Sequence, residues 1–342
     1  MVLSRRSLLK YSSLLGLGAT ANALLPTLSK SSLKASAAMP LTMQLDWKFN
    51  VQFAGPLMAD HQGLYADKGL AVTLKPWESG MVLPEVVAAD PMTIGCAEQN
   101  LILSAQAAGA PIRAIATMFQ ASPLALMSLP ESNITSLQDL VGKQVGVHVD
   151  GLQVMELVKG VSGLAADALE VTEIPYETKY DLLLSGEMAA IQCYAVDEPI
   201  GFKAKTGIEP RVLNLSDYGY EAYAQVIFAH ADLLAQEPEA VKQFLAATFA
   251  GWQKTLEDIP GAAQMVVDSY VEPGSKYEDL AYQTDSLMLV ADYMLMGIEP
   301  AELGMISSDR WSRMAERFAE YKIIDQAPAL AESLASGFWP AA

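Results

Sequence analysis

The chain has 342 residues, with 22 Lys and Arg against 40 Asp and Glu, and a formal net charge of −18 at pH 7. So acidic a body repels phosphate backbones, which excludes nucleic acid as a partner. Hydrophobic residues make up 51% of the chain, enough at this length to fill two separate cores.

The N-terminus reads Ser4-Arg5-Arg6-Ser7-Leu8-Leu9-Lys10. A twin arginine in this setting is an address for Tat export. The weakly apolar stretch from Tyr11 to Leu25 is too short to span a bilayer, and Ala35-Ser36-Ala37 supplies an A-x-A cleavage pattern. Residues 1–37 are therefore expected to be a Tat signal peptide, removed to leave a periplasmic protein. They carry five basic residues and no acidic ones, so the body that remains is more acidic still. Gly16-Leu17-Gly18-Ala19-Thr20-Ala21 imitates a dinucleotide fingerprint but follows no predicted strand. No later apolar run is long enough to cross a membrane. Cys96 and Cys193 fall in different predicted strands and read as buried free thiols, consistent with folding in a reducing cytosol before export.

Downstream the pattern alternates strand and helix, the signature of α/β layering. Leu41 to Leu45 alternates as a strand, and Gly55 to Tyr65 reads as a helix with Leu57, His61 and Leu64 on one face. Ala71 to Leu74 is a strand, Val82 to Ala89 a helix and Met92 to Cys96 a short buried strand. Glu98 to Ala108 is helical and stops at Gly109 and Pro111. The continuous apolar run Ile112 to Phe119 reads as a central parallel strand.

The pattern then restarts. Ser136 to Val141, Gly151 to Ser162 and Lys179 to Ser185 read as helices. Gln144 to His148, Glu170 to Ile174 and Ala190 to Tyr194 read as strands, followed by a helix to about Lys205 and strands at Val212 to Leu215 and Tyr223 to Ala229. The remainder is helical. Pro238 opens one helix at its first position, with Val241, Leu245, Thr248 and Trp252 as the buried stripe. Others are expected near 260–271, 276–296 and 307–321.

The expected fold class is α/β, two-lobed, with a helical C-terminal part. Residues 39–127 plus 223–342 would form lobe 1 and 128–222 lobe 2, with crossings near Ala125–Ser128 and Tyr223–Phe228. A ligand would sit between the lobes, at the carboxyl ends of the strands.

Candidate contacts follow from that rule. Trp47 follows the first strand, where a flat indole can stack on a planar ring or fill the core. Phe53 offers a second aromatic wall or a core residue. Glu98, with Gln99, opens a helix and can accept from an amino-bearing ring or simply favour the helix start. Gln120 ends a strand and can both donate and accept. Asp150 reads as an N-cap, with the Gly151 amide free to meet an anion. Tyr194 and Glu198 flank a strand end in lobe 2. His148 ends a strand at the ligand-facing edge, and Tyr176 and Tyr223 are further aromatic candidates. The three histidines lack metal-ligand spacing, and there is no G-x-S-x-G elbow or Walker A loop. No catalytic residue, metal or cofactor is expected.

Three segments carry a family resemblance. Leu45-Asp46-Trp47-Lys48-Phe49-Asn50 resembles the LDW-x-x-N opening of thiamine-pyrimidine-precursor-type substrate-binding proteins. The stretch from Gly109 through Gln120-Ala121-Ser122-Pro123 to Asp139-Leu140-Val141-Gly142-Lys143-Gln144-Val145-Gly146-Val147 is similar to the same family, as is Asp197-Glu198-Pro199. The resemblance runs from about 41 to 325, and it rests on the order and spacing of these motifs together. It implies a type II periplasmic binding protein fold and a monomer that hands a small molecule to an ABC transporter permease. The implied ligands are aminopyrimidines related to thiamine, riboflavin-like molecules and, in neighbouring branches, sulfonates. Asn50 joins the candidate contacts on this ground. A eukaryotic branch makes the thiamine pyrimidine enzymatically, with a histidine shortly after the motif and an iron-binding cysteine cluster. Here Phe53 occupies the position where histidine is common, and there is no cysteine cluster, which points away from that branch. The scarcity of basic residues near the expected cleft favours a neutral or cationic planar ligand over a sulfonate.

Overall fold

A computed structural model describes residues 38–339; the expected signal segment 1–37 lies outside them. Among these residues ten strands form two five-stranded sheets, each with four strands running one way and one running against them.

The first sheet has the order β2-β1-β3-β10-β4. It opens with β1 (Met39–Gln44), α1 (Ala54–His61), α2 (Leu64–Asp67) and β2 (Leu70–Lys75). It continues with α3 (Leu83–Ala89), β3 (Thr93–Ala97), α4 (Gln99–Ala107) and β4 (Ile112–Phe119). The helix expected over 55–65 is split at Gly63, whose φ of 71° lies in the left-handed region that glycine enters without strain.

The second sheet has the order β7-β6-β8-β5-β9. It is built from β5 (Leu124–Ser128), β6 (Gln144–Val147), α5 (Val149–Val161), β7 (Glu170–Glu173), α6 (Lys179–Leu184), β8 (Ala190–Tyr194), α7 (Glu198–Thr206) and β9 (Arg211–Asn214). The chain then returns through β10 (Ala224–His230) to the first sheet. It ends in α8 (Ala231–Gln236), α9 (Pro238–Glu257), α10 (Ile259–Ser269), α11 (Leu280–Met294), α12 (Ser308–Glu320) and α13 (Leu330–Ser333).

Three details differ from the sequence-based expectation. The expected crossings near Ala125–Ser128 and Tyr223–Phe228 are displaced, because Ala125–Ser128 and Ala224–Phe228 pair within strands β5 and β10 inside their sheets. The expected boundary at 127 thus falls within a strand of the second sheet. The chain crosses instead at 120–123 and at 219–223, where Ser122 N donates to the Ala222 carbonyl at 3.1 Å. The second difference is β4, which lies at a sheet edge and pairs antiparallel with β10. Its outer side is covered by the C-terminal segment: Thr117 N bonds Gly304 O, Gln120 N bonds Tyr293 O, and Ala335 N bonds Ala114 O. An edge strand covered in this way is as apolar as a central one.

The third difference is α12, which was expected to complete lobe 1 alone. Its buried Trp311, Met314 and Phe318 share a core with Leu83 and Ile102 of the first lobe and with Val154 and Val158 of α5. Cys96 and Cys193 are buried free thiols in separate sheets, as expected. Among the described residues no helix is long and apolar enough to cross a membrane.

Helix α9 buries Val241, Leu245, Thr248 and Trp252, the expected stripe. It crosses α1 at two glycines. A Cβ on Gly55 would overlap the Trp252 indole, and one on Gly251 would overlap the Gly55 carbonyl. The backbones can therefore approach only while both positions lack side chains. Gly55→Ala is expected to lower stability by about 1–3 kcal/mol through overpacking. Urea denaturation checks this, and an unchanged midpoint would mean the two helices can move apart freely.

Candidate functional site

In both sheets the parallel strands end at the same edge, facing the space between the lobes. The chain immediately beyond these ends supplies the candidate site. Asp46 and Trp47 follow β1, Trp77 follows β2 and Glu98 follows β3; His148 and Asp150 follow β6, Tyr176 follows β7, and Tyr194 ends β8. Gln225 joins them because β10 runs the other way and begins at this edge.

The aromatic part is a wall made by both lobes. Trp47 stacks on Trp77 with ring centroids 5.1 Å apart and lies 5.3 Å from Tyr176, which in turn stacks on His148 at 3.8 Å. The Trp47 Nε1 proton goes to Tyr277 Oη at 2.7 Å, so the indole is fixed in orientation. Trp47, Trp77 and Tyr176 are all half-buried.

The acidic part is a set of carboxyls without basic partners of their own. Burial pushes the Asp46 carboxyl up to about 7; the Gln225 amide opposes this and Asp150 adds to it. Burial likewise raises Glu98 to about 8, against hydrogen bonds from Ser122 and Tyr194 and with further repulsion from Asp46 and Asp150. Glu98 Oε1 accepts from Tyr194 Oη at 2.9 Å, and Oε2 accepts from Ser122 Oγ at 2.8 Å and Tyr220 Oη at 3.3 Å. Its two oxygens are thus engaged by both crossings and by the second lobe.

Two ion pairs stand at the start of α7, one buried and one whose lysine is exposed. Lys179 Nζ lies 2.6 Å from Glu198 Oε1, and the Tyr194 amide donates to Glu198 Oε2 at 2.6 Å. Burial would raise Glu198, but the Lys179 and Lys276 charges with these hydrogen bonds hold it down at about 2. Asp197 faces the other way. It accepts from Lys276 Nζ at 3.0 and 3.1 Å and from Tyr277 Oη at 3.1 Å, bonds that reach from the C-terminal helical part to the second lobe. Lys179 also donates to His148 Nε2 at 3.3 Å. The His148 Nδ1 proton goes to the Ile174 carbonyl at 3.0 Å, and burial and the Lys179 charge both hold the imidazole neutral.

The expected contacts divide accordingly. Trp47, Glu98, Asp150, Tyr194 and Glu198 come together at this edge. Asn50 is buried and caps the short turn Val51–Phe53, accepting from Gln52 N at 2.7 Å and donating to Lys48 O at 2.9 Å. Phe53 lies in the first-lobe core. Gln120 donates to Met305 O at 2.9 Å. Asp150 is not the N-cap of α5, a position held by His148; its carboxylate accepts instead from Gln192 Nε2 at 3.1 Å. The Gly151 amide is bound to His148 O at 2.9 Å, and a Cβ there would overlap the Gln192 amide, so this glycine serves close packing. Residues not selected from the sequence are Asp46, Trp77, Lys179, Asp197, Gln225, Lys276 and Tyr277. Asp46 stood next to Trp47 in the quoted motif. Trp77 was also legible, since it trails β2 as Trp47 trails β1 and the two strands pair in register from Met39↔Leu70 to Gln44↔Lys75.

Residues 50–262 match the NMT1/THI5 like family. The chain belongs to that family. It is 25% identical to a 4-amino-5-hydroxymethyl-2-methylpyrimidine phosphate synthase of Legionella pneumophila, over 67% of this chain and 72% of that one. It is 23% identical to the riboflavin-binding protein RibY of Chloroflexus aurantiacus, over 78% and 76% of the two chains. The periplasmic aliphatic sulphonate binding protein SsuA from Escherichia coli shares the fold, with a TM-score of 0.66 at 14% identity over 87% of this chain and 92% of that one. The two-lobed α/β architecture is therefore that of periplasmic binding proteins. The iron-binding cysteine cluster of the enzymatic branch has no counterpart here, since Cys96 and Cys193 are single, fully buried and in different sheets.

The raised carboxyls fix a pH dependence. Asp46 and Glu98 bind protons more tightly folded than unfolded, so their contribution to stability is complete below about pH 4 and is lost as pH rises through about 7 and 8. Thermal melts of the ligand-free protein are expected to fall in midpoint between about pH 5 and 8. Glu98→Gln should flatten the upper part of that fall; an identical slope in the variant would remove Glu98 as its source.

Proposed function

We propose that this chain is the extracytoplasmic solute-binding component of an ABC importer, exported by the Tat route, and that it captures a small planar nitrogen heterocycle of the thiamine-pyrimidine-precursor kind. The observation that carries this reading is the wall of Trp47, Trp77 and Tyr176, built from both lobes and set beside Asp46 and Asp150. Aromatic faces hold a flat ring by stacking, and carboxyls accept from ring amino groups. A wall shared between lobes also couples binding to closure, because a ligand can touch both halves only when they approach. The protein acts as a monomer that delivers its ligand to the transporter permease. The names of its relatives support this reading, since a riboflavin-binding protein and a pyrimidine phosphate synthase both handle planar nitrogen heterocycles.

The synthase likeness supports a second reading, an enzyme on the same scaffold. It is weakened at Lys179, the buried amine of the site, which is ion-paired with Glu198 and hydrogen-bonded to His148. Incubation with candidate heterocycles followed by mass spectrometry separates the two: recovered intact ligand supports capture, and a transformed ring supports the enzyme.

Thermal-shift screening against pyrimidines, flavins, amines and sulfonates is expected to give stabilisation by planar nitrogen heterocycles and none by alkyl sulfonates. Trp47→Ala should weaken the best of these ligands by about tenfold or more. Absence of any shift across the panel would sink the capture reading, and unchanged affinity in Trp47→Ala would remove Trp47 from the site.

A further inference from the structure

Helix α11 lies against the first crossing and reaches both lobes. On the first-lobe side Gln283 Oε1 accepts from Val51 N at 3.1 Å. At the crossing itself the Tyr293 carbonyl accepts from Gln120 N at 2.9 Å. On the second-lobe side Ser286 Oγ donates to the Val196 carbonyl, and Tyr293 Oη donates to Asn214 Oδ1 at 3.1 Å. Val196 follows β8 of the second sheet, yet it is buried in one cluster with Leu287 and Val290 of α11. Helix α12 does the same at the second crossing. Arg317 Nη1 donates to Gly219 O at 2.9 Å, and Arg310 Nε and Nη2 donate to Glu221 O at 3.1 and 3.0 Å. The Arg310 guanidinium also lies 4.1 Å from the centroid of the Tyr223 ring, whose hydroxyl accepts from Ser307 N at 2.9 Å. Gly219, Glu221 and Tyr223 are thus all fastened to α12 or to the residue before it. Tyr321, just past the end of α12, meets the second lobe, since a Cβ on Gly160 of α5 would overlap its ring.

A hinge of two chain crossings bends when a few residues change their backbone angles. Here such a change pulls held carbonyls away from the side chains that grip them. Opening also draws the second lobe off α11 and Tyr321. Groups parted in this way lose their partners, and any left buried are costly. We propose that α11 and α12 are braces, one on each crossing, that hold the two lobes together before any ligand arrives, so that the cleft admits a ligand only through brief openings. Each bond of this kind shifts an equilibrium by roughly fivefold, and the braces carry several, so the open form is a minor one. This goes beyond the capture reading, because it concerns how the lobes move and not what they hold. It also sets the order of events: opening precedes binding, and the binding-competent fraction lowers the apparent affinity.

The test measures the distance between spin labels placed across the cleft by Ser79→Cys and Thr178→Cys, both exposed and each two residues past an aromatic of the wall. Cys96 and Cys193 are buried and stay unlabelled. The protein is refolded from urea to strip anything carried through purification, and no ligand is added. The parent is expected to give one narrow distance, with separated lobes below about a tenth of the molecules. Ser286→Ala with Tyr293→Phe cuts the α11 brace, and Arg310→Met with Arg317→Met cuts the α12 brace while keeping most of each stem. Either pair should raise the longer-distance population to at least about a third. Tyr293→Phe and Arg310→Met alone remove fewer bonds and should give a smaller rise, which decides the matter where a paired variant does not fold. A broad or long distribution in the parent would overturn the braces, and so would variants that keep the parent's distribution. Either result leaves the capture reading standing, and a heterocycle panel without binders leaves the braces standing.

Discussion

One buried carboxyl holds the two lobes in register. Glu98 belongs to the first lobe, Ser122 and Tyr220 lie on the two crossings, and Tyr194 ends a strand of the second lobe; all three donate hydroxyl protons to Glu98. The crossings are also tied to each other by the Ser122–Ala222 backbone bond, and Gln99 beside Glu98 bonds Tyr223 through backbone and side chain. A buried carboxyl stripped of these partners would cost several kcal/mol, so the set forms together or not at all. The partners differ in position. Ser122 and Tyr220 sit where the chain passes between lobes, whereas the Tyr194 bond joins separate lobes, as do the bonds from Lys276 and Tyr277 to Asp197.

The charge pattern of the cleft follows from neighbouring acids being treated differently. Asp197 and Glu198 are adjacent, yet Glu198 points into the second lobe towards Lys179 and Asp197 points towards Lys276 of the C-terminal part. Each buried carboxylate has its own ammonium, as burial requires. Burial still pushes Asp197 upward, while Glu198, close to both lysines, is held low. With those lysines engaged, Asp46 and Asp150 stand at the cleft edge without basic partners of their own, so what that edge offers is acceptors. The excess of acids over bases in the composition did not dictate this, because a cleft carries its own local field.

The sequence carried the fold well, for a physical reason. Apolar alternation records burial, and burial is what strands and helix stripes share; β4, β8 and the α9 stripe were legible almost residue for residue. It could not record what covers a strand. Ile112–Phe119 is apolar because the C-terminal segment seals its outer edge, and no local pattern separates that from a central position. At the site, the strand-end rule picked Trp47, Glu98, Asp150, Tyr194 and Glu198, which the fold brings to one edge. Asn50, chosen on the family motif, and Gln120 and Gly151, chosen by that rule, instead bond backbone groups of nearby or C-terminal residues. Lys179 was missed because α6 carries it back to the edge through tertiary packing. Gln225 gave no signal at all, since nothing in its residue type announces a left-handed backbone.

Capture and catalysis make different demands on such a site, and the distribution of satisfied groups bears on the choice. General acid–base work needs a group free to take or give a proton at a substrate atom. Lys179 is shared between Glu198 and His148, and the imidazole is held at both nitrogens, by Ile174 O and by Lys179. Recognition needs something else: rigid faces, fixed acceptors and few mobile charges. Trp47 is fixed by Tyr277, Tyr176 is backed by His148, and Asp46 is oriented by Gln225. The polar groups behind the wall are thus paired in ways that stiffen it, and stiffness of this kind serves recognition.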